Sequence, residues 1–167
     1  MAALTAAALI IFVVEAQIPL PIAIPGVKLG LANAVTLFAL FLGKGKDKSS
    51  GELTVANVFM ILVCRIILGA VFSGRFVAFI YSVAGGVLSF AVQAILRRFV
   101  TNNQIWACGA VGAVFHNIGQ IAAAVIVTGT PAIAAYLPVL IVAGIATGVV
   151  TGFIAQFSLQ RIKAGAP

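Results

Sequence analysis

The sequence predicts an all-α integral membrane protein, a bundle of six transmembrane helices forming one domain over residues 1–167. Three observations predict it. The first is composition: 63% of the chain is hydrophobic and 8% is charged, whereas a soluble domain is about half apolar and about a quarter charged. A soluble fold of this size buries only part of its surface, so such an apolar excess requires lipid as the solvent. The second is length: six apolar runs approach the ~20 residues that a helix needs to cross a bilayer. The third is the placement of Lys and Arg in alternate connections.

The runs extend from about Ala2 to Ile18, Val27 to Leu42, Leu53 to Phe72, Phe76 to Leu96, Gln104 to Val127 and Ile133 to Phe157. The punctuation between them agrees. "PLPIAIPG" (Pro19 to Gly26) is excluded from regular helix, because proline lacks an amide donor and restricts the residue before it. "GKGKDKSSG" is a polar loop, "SGR" (Ser73 to Arg75) a tight turn, "RRFVTNN" a basic loop, and "TGTPA" ends the fifth run. The first run has no small-residue cleavage site leading into a soluble domain, so it is expected to remain as a span. With six spans, Lys44, Lys46, Lys48, Arg97, Arg98, Arg161 and Lys163 all fall on one side, which the positive-inside rule assigns to the cytoplasm together with both termini. The net charge of +7 is thus a topology signal rather than a nucleic-acid face. Cys64 and Cys108 lie in apolar runs without metal-type spacing and read as inert core thiols.

Small residues repeat at helical spacing. Gly144, Gly148 and Gly152 recur every four residues, as do Ser82 with Gly86, Gly85 with Ser89, and Gly109 with Ala113. Ala2, Ala3, Ala6 and Ala7 form two overlapping Ala-x-x-x-Ala pairs in the first span. Such ridges let a second helix approach closely. They serve either packing within the bundle or docking of another membrane subunit.

Polar groups within a span are costly and are candidate functional residues by default. Glu15 lies near the far end of the first span, Lys28 and Asn33 open the second, and Arg65 sits in the third, roughly 12 Å of helical rise before its outer turn. Arg75 and Tyr81 start the fourth. "VFHNIGQ" places His116, Asn117 and Gln120 in the middle of the fifth, with His116 and Gln120 on one face. Tyr136 joins Thr128 and Thr130 at the outer junction of the last two spans. Most of these residues fall in the outer half of the bilayer, which favours a pocket open to the outside over a continuous channel. Three cations (Lys28, Arg65 and Arg75) against Glu15 suit a ligand carrying a carboxylate or phosphate. The alternative is helix glue: Glu15 paired with Lys28 or Arg75, Arg65 on helix carbonyls, and His116 bonded across helices.

Glu15, Asp47 and Glu52 are the only acids in the chain. Magnesium-borne diphosphate chemistry needs clustered carboxylates, and a single histidine makes no zinc site. No metal, no cofactor and no catalytic residue is expected. "GKGKDKSSG" lacks phosphate-loop spacing, so any ATP is bound by another chain.

The segments "IPGVKLGLAN", "RIILGAVFSG", "YSVAGG", "GAVFHNIGQ" and "GTPAIAAYLP", in order across nearly the whole chain, resemble the Gx transporter family, often labelled heptaprenyl diphosphate synthase component I. That family is similar to the substrate-binding S components of energy-coupling-factor (ECF) transporters. The resemblance implies an S-component-like six-helix protein of the bacterial plasma membrane that captures a vitamin-like or cofactor-precursor solute under a lid, here Pro19 to Gly26. It also implies docking through Ala2, Ala3, Ala6 and Ala7 onto a membrane coupling subunit driven by two cytoplasmic ATPases. Two other readings stay open: a non-catalytic membrane accessory of polyprenyl diphosphate or quinone synthesis, and a subunit of a membrane flavin or redox assembly.

Overall fold

Every regular element among the described residues is helical. The structure, a computed structural model, describes residues 2–15, 33–44, 54–73 and 76–164. Six α-helices follow one another: α1 (Ala2–Glu15), α2 (Asn33–Leu42), α3 (Val55–Ser73), α4 (Phe76–Leu96), α5 (Ile105–Thr128) and α6 (Leu137–Ala164), with short 3₁₀ turns at Asn102–Gln104 and Pro131–Tyr136. Among the described residues, four stretches are long and apolar enough to cross a membrane: Val55–Phe72, Phe76–Leu96, Asn102–Thr128 and Pro131–Ala164. Their outer faces carry exposed large apolar side chains such as Phe76 at 73% and Ile126 at 80%. Exposure on that scale suits a lipid-facing surface. The helices α1 and α2 are described over 14 and 10 residues; the remainder of the second apolar run, including Lys28, lies outside the described residues, as do the proline-rich stretch and Arg75.

The stops have local causes. Gly129 takes a left-handed conformation (φ 63°) at the end of α5, which an L side chain adopts only with strain. Thr128 folds its hydroxyl back onto the Ala124 carbonyl at 2.7 Å, and Pro131 opens the 3₁₀ turn that leads into α6. At the other end of the bundle Lys44 Nζ donates to the carbonyls of Arg97 (2.6 Å) and Val100 (2.5 Å), closing the end of α4. Gln160 reaches Asn103 at 3.4 Å, so the end of α6 lies beside the start of α5. The ends of α2, α4 and α6 therefore meet at one basic end, with Lys44, Arg97, Arg98, Arg161 and Lys163 there or just beyond it.

The glycine ridge of α6 is internal packing. A Cβ on Gly148 would lie 2.6 Å from the Gly109 carbonyl oxygen, and one on Gly152 2.5 Å from Trp106 Cα. Gly109 and Ala113 of α5 supply the other side of this seam, so the two helices touch backbone to backbone. The pairs in α4 act likewise, Gly85 against α5 and Gly86 against α3. On α1 the outcome differs. Ala8 is buried and Leu4 packs on the core, whereas Ala3, Ala6 and Ala7 are exposed.

Three apolar clusters fill the interior among the described residues. The largest joins α2, α3, α4, α5 and α6 toward the basic end around Leu40, Phe41, Leu62, Phe90 and Leu159. The smaller ones, around Tyr81, Ala124, Ile121 and Leu140, lie toward the opposite end. A polar belt separates them. Cys108 is buried, as expected of a core thiol, but Cys64 is exposed on α3, because its position falls on the outer face of that helix.

Candidate functional site

The belt begins with α2. Ten helical residues rise only about 15 Å, and the helix ends at the basic end, so Asn33 stands near mid-depth rather than at a surface. Its Oδ1 accepts a hydrogen bond from Arg65 Nη2 at 3.1 Å, and both residues are buried. Arg65 thus meets a side-chain amide of α2, a pairing that neither sequence alternative contained.

The dipeptide Gly85–Gly86 in α4 makes room on two sides. A Cβ on Gly86 would meet Ile66 at 3.2 Å and Leu62 at 3.3 Å, with the Arg65 guanidinium at 3.7 Å. A Cβ on Gly85 would fall 2.8 Å from Gln120 Cγ and 2.9 Å from His116 Nδ1. One glycine therefore admits the α3 side chains next to the arginine, and the next admits the imidazole and amide of α5. His116 and Gln120 share this face, as their spacing predicts, at 4% and 0% exposure.

Asn117 turns the other way. Its Nδ2 donates to the Leu140 carbonyl of α6 at 2.6 Å, in the space that Gly144 leaves open. Its Oδ1 is buried without a hydrogen-bond partner, as are Asn33 Nδ2, Thr36 Oγ1 and Ser89 Oγ. Unsatisfied polar atoms at this depth are expensive and rare in a packed interior. A small cavity of about 10 Å³ adjoins Asn33, lined also by Gln93, Thr147 and Thr151 among others, which is room for about one water.

The belt therefore brings Asn33, Arg65, His116, Asn117 and Gln120 to one level from three helices. Tyr81 is buried one turn away in the cluster with Ala123 and Ala124. Tyr136 is not part of the belt; it is 41% exposed on the 3₁₀ turn before α6. The side chains of Glu15 and Ala2, and all of Lys28 and Arg75, lie outside what the structure describes. Gln93, Thr36, Ser89 and Thr147 join the belt unannounced. Gln93 was visible as a single carboxamide in an apolar helix, the same signal that marks His116; Thr36, Ser89 and Thr147 were not, because Ser and Thr are too common in membrane helices to stand out.

A family model for heptaprenyl diphosphate synthase component I matches residues 4–158. The chain belongs to that family. The match reaches into all six helices, so the belt and the seam both lie within the matched residues. No curated protein and no solved structure matches the chain.

Proposed function

We propose that this member of the heptaprenyl diphosphate synthase component I family is a six-span, substrate-binding membrane subunit of an ECF-type importer in the bacterial plasma membrane. Its basic end and both termini face the cytoplasm. The observation that carries this reading is the polar belt. A buried arginine, an imidazole and several carboxamides converge at mid-depth, with Asn33 Nδ2 and Asn117 Oδ1 still unpartnered. In lipid such a set costs stability unless it serves a ligand or a path. The belt offers a cation for a carboxylate or phosphate and neutral donors and acceptors for the remainder of a small polar solute. The cavity beside Asn33 is only about 10 Å³, so on this reading the helices around it separate before a solute enters. The exposed Ala3, Ala6 and Ala7 supply the docking face for a membrane coupling subunit, and two cytoplasmic ATPases supply the energy.

The family's own description favours a second reading, a non-catalytic membrane accessory to a prenyl diphosphate synthase. A mild-detergent pull-down from native membranes, with mass spectrometry of the retained proteins and small molecules, separates the two. Paired ATPases with a coupling membrane protein are expected, and the retained solute names the cargo. Recovery of a soluble, aspartate-rich synthase in their place rejects the importer and supports the accessory.

A further inference from the structure

A second feature stands apart from the belt. At the basic end, where α3 begins and α4 ends, an open groove of about 390 Å³ is lined by Lys44, Val55, Ala94, Ile95, Arg97 and Arg98. Its chemistry is divided. One rim is cationic, the other is aliphatic and faces outward. We propose that this groove holds the phosphate of an anionic phospholipid, with Arg97 and Arg98 on the headgroup and the acyl chains on α3 and α4.

The cations are not equivalent. Lys44 is spent on the carbonyls of Arg97 and Val100 and lies 5.6 Å over the Phe41 ring, so it holds the groove's floor. Among the described residues no acid accompanies either guanidinium. Asp47 and Glu52 belong to a connection outside the described residues, and Lys46 and Lys48 in the same connection match them in charge. Arg97 is half-buried, and that desolvation depresses its pKa below the ordinary arginine value. A phosphate offsets this cost, because guanidinium groups bind phosphate oxygens through paired, charge-assisted hydrogen bonds.

The apolar side gives the ligand a tail. Val83, Val87, Ala91 and Ile95 recur every four residues on α4, all exposed, and run from the groove toward mid-membrane. Val55 and Phe59 form a parallel exposed track on α3. A free phosphate uses the rim alone; a lipid uses rim and tracks together. Basic pockets between membrane helices on the positively charged side suit anionic headgroups.

The test reconstitutes the purified protein with equal amounts of phosphatidylglycerol and phosphatidylcholine of identical chains and counts retained lipid by native mass spectrometry. About a tenfold preference for phosphatidylglycerol is expected from two arginines. It should fall to about twofold or less in Arg97→Gln/Arg98→Gln. Arg98 is exposed, so Arg98→Glu alone, which perturbs folding least, should also abolish it. Arg161→Gln/Lys163→Gln removes the same charge outside the groove and should leave the preference intact. No preference in the parent protein, or a preference that survives Arg98→Glu, overturns the proposal. Displacement by stoichiometric inorganic diphosphate would show a free-phosphate site and overturn it as well. Farnesyl diphosphate then identifies the lipid: one-for-one displacement assigns the groove to an isoprenyl diphosphate in place of a phospholipid, and failure to displace assigns it to the phospholipid.

Discussion

The two halves of the bundle are held by opposite means. Helices α4, α5 and α6 meet through glycine, with backbone against backbone along Gly109–Gly148 and Gly85–His116. Helices α1, α2 and α3 pack through larger side chains, with Arg65 bonded to Asn33 between α3 and α2, and Lys44, just past α2, bonded to the Arg97 and Val100 carbonyls beyond α4. Lipid gives no hydrophobic drive to helix association, so contact area has to come from close approach or from polar bonds. The first half uses close approach and is a scaffold. The second carries the buried cation and the exposed alanines.

The largest effect should come from breaking the scaffold. Gly148→Leu drives a branched side chain into the Gly109 carbonyl and Ala110 backbone, where neither partner can rotate away. Overpacking of this kind costs about 1–3 kcal/mol even where side chains yield; here we expect loss of folded protein, read as aggregation in detergent and absence from the membrane fraction. Normal yield and normal thermal stability of Gly148→Leu would show that α5 and α6 do not form this seam.

The other half should respond differently. Ala7→Trp sits on an exposed face of α1 and should leave folding and solute affinity intact while uptake falls to background. Uptake at the parent rate would remove α1 as a docking face. Arg65→Ala should weaken solute binding by about 10- to 100-fold, the size of a lost charge-assisted hydrogen bond. Lys46→Ala, in the polar connection that follows α2 in sequence, should change it little. Equal effects in isothermal titration would move the site away from mid-depth.

These differences in mechanism also explain what was legible in the sequence. The helices were readable because apolar runs and their Pro, Gly and Lys breaks are local features: α3, α4 and α5 begin and end within two residues of expectation, whereas α6 runs seven residues past Phe157, and the end of the first run and the start of the second lie outside the described residues. His116 and Gln120 were readable as a face because four-residue spacing is a property of one helix. The Arg65–Asn33 bond was not, since it depends on how α2 and α3 sit side by side. Nor was the destination of the small residues: Gly144, Gly148 and Gly152 turned inward, whereas Ala3, Ala6 and Ala7 turned outward, with the same spacing in both. A ridge reports that something approaches closely and leaves open what does.

The smallest effect is the one that best separates ligand binding from helix glue. Asn117 uses Nδ2 on the Leu140 carbonyl and leaves Oδ1 without a partner. Interhelical side-chain bonds in membranes average about 0.6 kcal/mol, so Asn117→Ala should lower unfolding stability by about that amount. If the residue is glue alone, solute affinity stays unchanged. If Oδ1 serves a ligand, affinity falls by more than the stability loss accounts for. Gly144→Ala adds the control: its methyl group would occupy the space of Nδ2, 2.6 Å away, and push the carboxamide off Leu140. It should cost more stability than Asn117→Ala, and combining the two should recover part of that cost, because the methyl then fills the space that the carboxamide leaves. Strict additivity in that double-mutant cycle would mean that Asn117 and Gly144 do not meet, and the belt would lose its anchor on α6.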